Sequence, residues 1–196
     1  MKIGITGGIG CGKSTVLEYF QALKLDCLSL DSVAQALIAK DLRVISSIKE
    51  KFGEIIFRDD GFVDRSRLAE LVFSDNKALL WLEGLLHPLV REHWVEFTKV
   101  HKGRLVFVEI PLLFEKKLEK HFDFIVCITC TEHTADIRLE KKSLSTLSIQ
   151  QRRNLQLPNS VKIKHSDFVL DNNGSLEFLN LQLNRLYHTL ESLRVP

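Results

Sequence analysis

The sequence predicts a three-layer α/β fold, and three observations lead to it. Short β-rich apolar runs alternate with helical periodicities along the chain. The first run ends in a glycine-dense loop. The later runs are apolar without interruption, as strands buried on both faces of a parallel sheet are. Residues 2–6 read as the first strand, and "KSTVLEYFQAL" from Lys13 as a helix with Val16, Leu17 and Phe20 on one face. "LDCLSL" at 25–30 is a second strand, and "SVAQALIAK" after Asp31 a helix. Residues 41–103 carry helical patterns joined by loops such as the turn "RDDG" at 58–61, and read as a helical lobe within a single domain. "RLVFVEI" at 104–110 and "FDFIVCIT" at 122–129 return to strand character. The segment "TADIRLEKKSLSTLSIQQRRNLQ" is polar, basic and helical. "SDFVLDN" at 166–172 is the last strand, and residues 175–193 form a closing amphipathic helix.

A chain of 196 residues, 45% hydrophobic and 27% charged, has enough apolar content for one substantial globular domain. Its net charge of +2 is too balanced to point to duplex DNA or an anionic membrane. No apolar run approaches the roughly 18 residues of a spanning helix. The chain opens on a strand with no charged-then-apolar leader, so a cytoplasmic address is expected. Four scattered cysteines do not make a disulfide framework. Cys127 and Cys130 form a CxxC, but within an apolar run and without a second ligand pair at zinc-site spacing, so they read as buried, reduced thiols. Cys11, inside the glycine loop, is either reactive or simply a small residue that fits there.

The loop carries the chemistry. Gly7-Gly8-Ile9-Gly10-Cys11-Gly12-Lys13-Ser14 fits G-x-x-x-x-G-K-[ST] between a predicted strand and a predicted helix. Glycines let successive backbone N–H groups turn inward as an anion-binding nest, and the following helix directs the positive end of its dipole to the same place. Lys13 can set an ammonium on the β and γ phosphates, Ser14 can hold Mg²⁺, and Thr15 adds a hydroxyl. Gly8, Gly10, Cys11 and Gly12 complete the cradle. The pattern implies a nucleoside triphosphate site.

Such a loop serves switches, motors and small-molecule kinases alike. A GTPase would carry a guanine-reading NKxD, but the only Asn-Lys pair, Asn76-Lys77, continues "AL" inside a helical pattern. The chain is short for a motor. A kinase requires an acid to receive a hydroxyl proton and cations to cover the transferring phosphate. Asp31 follows the second strand and so emerges at the carboxyl edge of the sheet, where open α/β sheets bind ligands. It also suits an N-cap for a helix beginning at Ser32, and the two roles are compatible. Arg138, Lys141, Lys142, Arg152 and Arg153 lie in the basic helical segment, which reads either as a lid over phosphates or as a solvated helix face.

"GITGGIGCGKST", "LDSVAQ", "GFVDRSRLAELVF", "LLHPLV", "IPLLFE" and "SDFVLDNNG", in this order, resemble the dephospho-CoA kinase family over essentially the full length. The resemblance implies a P-loop kinase fold with a parallel five-stranded sheet, a helical CoA-binding lobe at about 41–103 and a small lid at about 132–156. It implies transfer of the γ-phosphate of ATP, with Mg²⁺, to the 3′-hydroxyl of the dephospho-CoA ribose. The partners it implies are ATP and dephospho-CoA, with no nucleic acid or membrane, in a monomer or small homo-oligomer. On this resemblance Asp31 is the catalytic base, and Ser29 stands where relatives often have a first acid. Asp64, Arg65 and His87 fall on acceptor-binding positions. A histidine ahead of Pro88 would equally suit a helix cap. Arg138 matches a lid arginine, while the family's second arginine falls on Lys141 or Lys142. Lysine lacks arginine's bidentate fork. Arg152 and Gln156 fit the lid's trailing helix. Asn172 and Gly174 match the loop along the adenine. Glu109, at the end of the third strand, either reaches the Mg²⁺ shell through water or is a buried carboxylate paired within the protein.

Overall fold

The computed structural model describes residues 1–141 and 146–194, with side-chain surroundings described outside 146–148. Its elements run β1 Lys2–Gly7, α1 Lys13–Ala22, β2 Asp26–Ser29, α2 Leu30–Lys40, α3 Leu42–Phe52, α4 Arg65–Ser74, α5 Asn76–Val100, β3 Val106–Glu109, β4 Phe124–Thr129, α6 Glu132–Glu140, α7 Thr146–Asn154, α8 Asn159–Lys164, β5 Phe168–Asp171 and α9 Leu176–Ser192. Among the described residues the sheet has five strands in the order β2-β3-β1-β4-β5, every neighbouring pair parallel. The predicted parallel five-stranded α/β sheet is therefore the observed one.

The chain divides into two compact units, Met1–Ser29 with Thr98–Pro196, and Leu30–Phe97. The first holds the sheet. Alternation along β1 sends Ile3 and Ile5 to one face, where they pack with Val16, Leu17 and Phe20 of α1 and Leu179, Leu183 and Leu190 of α9. Phe20 stacks on Phe107 of β3 with ring centroids 3.8 Å apart. Gly4 and Thr6 turn to the other face. Leu113 and Phe122 lie against Gly4 there, and Thr6 Oγ1 reaches the Pro111 carbonyl.

That second face is tied by a charge. Lys162 of α8 is fully buried; its Nζ donates to the Pro111 carbonyl at 2.8 Å and pairs with Glu115 at 2.9 Å. Glu115 Oε1 also accepts the Leu157 N–H at 2.7 Å. Removing the cation alone would strand a nearly buried carboxylate. We therefore expect Lys162→Met to cost about 3–5 kcal/mol in a urea unfolding titration, with Glu115→Leu in the same chain recovering most of it.

The second unit is helical. Leu37 of α2 shares a core with Val44 and Ile48 of α3, Leu68 and Val72 of α4, and Leu82 and Leu86 of α5. This sharing draws α2 into the unit, which runs from Leu30 to Phe97 against the bounds of about 41–103 expected from texture. The turn at 58–61 closes with Gly61 N–H on the Arg58 carbonyl, ahead of an antiparallel bridge between Phe57 and Val63. Pro88 lies inside the 25-residue α5. It can donate no backbone hydrogen bond to Gly84, four residues earlier.

Candidate active site

Strand register brings the functional ends of the first unit together. Ile5 aligns with Glu109, Glu109 with Ser29, Gly7 with Ile128, and Thr129 with Asp171, so the strands finish along one edge. The chain moves to one side of β1 for β2 and β3 and to the other for β4 and β5. The loop after β1 therefore occupies the switch point at which open parallel sheets bind ligands.

Within that loop Gly10 and Gly12 hold φ of +79° and +93°, the left-handed region that turns successive N–H groups to one side. A Cβ at Gly10 would meet Ala135 of α6, and one at Gly12 would collide with the Asn172 amide. Gly12 stands at the N-cap of α1 with no side-chain cap, leaving the first N–H groups of the helix to the loop. Lys13 is buried, and its Nζ donates to the carbonyls of Gly7 and Gly8 at 3.0 and 2.9 Å. Ser14, exposed, and Thr15, half-buried, follow in the first turn of α1. Gly8 is buried beside Asn159 and Cys11.

Asn172 is the hub on the far side of the loop. It is buried, its Nδ2 donates to the Cys11 carbonyl at 2.8 Å, and its Oδ1 accepts from Arg138 Nη2 at 3.4 Å. Arg138 Nη1 is buried with no hydrogen-bond partner among the described residues. It lies 4.0 Å from where a Cβ of Gly12 would stand. A buried guanidinium nitrogen without an acceptor, held against an anion nest, is suited to a phosphate oxygen. Gly174, exposed, follows two residues after Asn172. Arg153 pairs with Asp136, linking α7 to α6. Glu109 ends β3 with only 7% of its surface exposed. Lys142, expected to contact ATP, lies outside the described residues.

The acceptor candidates belong to the helical unit, on three of its helices. Asp31 sits in the first turn of α2, which begins at Leu30. It is thus not the N-cap of a helix from Ser32, because the helix takes over from β2 without an intervening residue. Asp64 is the N-cap of α4, accepting the N–H groups of Ser66 and Arg67 at 3.0 and 3.1 Å. Arg65, exposed, opens that helix. His87 lies within α5 and so stands at neither end of that helix; its Nε2 is 3.9 Å from Glu83 Oε1, one turn back.

The family model described as CoaE, dephospho-CoA kinase, matches residues 1–177. The chain belongs to the dephospho-CoA kinase family. Relatives bearing the name dephospho-CoA kinase include one from Bdellovibrio bacteriovorus, 32% identical over 98% of this chain and 97% of its own. Another, from Thermosynechococcus vestitus, is 36% identical over 97% and 95%. Among solved structures, TT1252 from Thermus thermophilus superposes with a TM-score of 0.80 at 36% identity, covering 97% of both chains. Dephospho-CoA kinase from Campylobacter jejuni gives 0.70 at 25% identity, covering 97% and 98%. Shikimate kinase from Acinetobacter baumannii, at 15% identity and a TM-score of 0.53, shares the fold alone.

The structure also explains part of the family likeness. Glu115, which closes "IPLLFE", anchors both Lys162 and the Leu157 N–H. Gln156 Oε1 accepts the Ile9 N–H of the phosphate loop at 3.0 Å. Gln156 thereby helps to position the loop. No spacing rule reveals a glutamine that serves a backbone group 147 residues earlier. Among the described residues, no helix is long and apolar enough to cross a membrane.

Proposed function

We propose that the chain transfers the γ-phosphate of ATP to the 3′-hydroxyl of the dephospho-CoA ribose, releasing ADP and coenzyme A. Family membership supports the reaction. The observation that carries the site is the phosphate loop itself, with buried Lys13 against it and Arg138 Nη1 buried beside it without an acceptor among the described residues.

In this reading the loop N–H groups and α1 hold the β and γ phosphates, Lys13 balances the charge that grows on them, and Arg138 covers the transferring group. Asp31 receives the hydroxyl proton. Asp64, Arg65 and His87 serve the acceptor, with Asp64 acting through the start of α4 that it caps. Asn172 and Gly174 border the adenine. Ser14, exposed in the first turn of α1 beside the loop, would give an oxygen to Mg²⁺. An ion bound mainly through nucleotide phosphates and water needs only one or two protein oxygens. When bound, Mg²⁺ supplies charge neutralisation at the phosphates. Since a loose phosphoryl transition state asks little of a base, alignment and charge account for most of the acceleration.

The test mixes the protein with ATP, Mg²⁺ and dephospho-CoA and follows CoA by mass alongside ADP. AMP, GMP and pantothenate serve as rival acceptors. CoA formed in step with ADP, and absent with the rivals, is the expected result. ADP released equally with and without dephospho-CoA, with no CoA formed, would reject the acceptor assignment.

A further inference from the structure

The phosphate loop carries a second reactive group. Cys11 Sγ lies 3.3 Å from Cys130 Sγ, although 119 residues separate them in the chain. Cys11 stands between Gly10 and Gly12, and Cys130 follows the last residue of β4. Both are free thiols, 1% and 8% exposed. We propose that Cys11 and Cys130 form an oxidation-sensitive pair that hydrogen peroxide joins in a disulfide, distorting the phosphate loop and reversibly weakening nucleotide binding.

The surroundings assign the roles. The hydrogen bond from Cys130, followed by the nearby Lys13 ammonium, outweighs burial and brings the Cys11 thiol down to about 6. Asn159 Nδ2, 3.9 Å away, adds a further donor. The same contact pushes Cys130 up, so it keeps its proton. Burial pushes Cys27 up to about 12 and Cys127 up to about 11, which sets them apart as poor nucleophiles. Cys11 thiolate attacks one peroxide oxygen and breaks the O–O bond; the leaving hydroxide takes a proton, giving Cys11 sulfenic acid and water. The Cys130 sulfur then attacks the Cys11 sulfur and displaces its hydroxyl, which leaves as a second water with the thiol proton. In sum, two thiols and one peroxide yield one disulfide and two waters. Burial of both sulfurs favours so small an oxidant over bulky thiol reagents.

The consequence is mechanical. Bonded sulfurs stand about 2.05 Å apart, so the pair must close by roughly 1.2 Å. Asn172 holds the Cys11 carbonyl and Arg138 together, so the strain enters the loop itself. Drawing one loop N–H away from a phosphate forfeits a hydrogen bond to a charged group, about 10- to 100-fold in affinity.

The experiment oxidises the full chain with stoichiometric hydrogen peroxide. It then reads intact mass, a non-reducing peptide map, and the affinity for a fluorescent ATP analogue before and after dithiothreitol. The expected result is loss of two hydrogens, a peptide joining Cys11 to Cys130, and affinity weakened about 10- to 100-fold and restored by reduction. Cys130→Ser should bind the analogue like the reduced wild type and form no cross-link, while Cys127→Ser should form it normally. Absence of the cross-link in wild type, a bridge through Cys27 or Cys127 instead, or a bridge that leaves affinity within about twofold would overturn the proposal. If Cys130→Ser does not fold, the wild-type map alone decides. Binding is read apart from turnover, so failure here leaves the acceptor assignment standing, and failure of that assignment leaves this test intact.

Discussion

Lys13→Ala will lower kcat by about 10³-fold, the upper range for removing a preorganised group that faces developing charge. The ammonium is held at the loop by the Gly7 and Gly8 carbonyls, so its position is set by the same backbone that shapes the nest. Little reorganisation is then required at the moment of transfer, and the loss falls on kcat. Because Lys13 is 8% exposed, the truncation also removes buried methylenes. Lys13→Met keeps the stem and deletes the charge. It should lose activity almost as fully while its unfolding midpoint falls less than that of Lys13→Ala, since only the donor to the Gly7 and Gly8 carbonyls is lost and the stem stays packed. Steady-state kinetics beside thermal unfolding separates the two effects: kinetic loss in alanine but not in methionine would assign Lys13 a packing role.

Asp31→Asn is expected to lower kcat by about 10²-fold, the low end of general-base contributions. Asparagine keeps the size of the side chain and its place in the first turn of α2, and removes the ability to take a proton. It also loses the favourable interaction of a carboxylate with the helix start, about 0.3–1 kcal/mol at an exposed site. The order of the two losses is the sharper expectation. A loose transition state depends more on charge stabilisation than on proton removal, so Lys13→Ala should be the more damaging substitution. Full kcat in Asp31→Asn would remove the base assignment, and full kcat in both variants would place the chemistry elsewhere.

Much of this site was readable because its requirements are local. The phosphate loop compresses its demands into eight adjacent positions: glycines for left-handed backbone, then lysine and hydroxyls at the start of a helix. The glycine φ values at 10 and 12 meet that demand. Strands were equally plain, since burial on both faces leaves continuous apolar runs such as "FIVCIT" in β4. Helix starts were less so. Asp31 has the residue type of an N-cap, but α2 begins at Leu30 because the end of β2 leads straight into the helix. His87 ahead of a proline suggested a boundary. Instead the apolar face shared by Leu82 and Leu86 carries α5 through Pro88, with packing outweighing one lost hydrogen bond.

What the sequence determined by itself is the fold class, the nucleotide loop and the family, because each is written in residues close together along the chain or in an ordered set of such stretches. Tertiary structure alone decided which distant groups support the loop. Asn172 reaches Cys11 across 161 residues, Gln156 reaches Ile9 across 147, and Cys130 reaches Cys11 across 119. The Asn172 and Cys130 pairings follow from the register of the parallel strands, which gathers their carboxyl ends at one edge, while Gln156 arrives from the connection between α7 and α8. Side chains far apart in sequence then share a neighbourhood for which no local spacing rule exists.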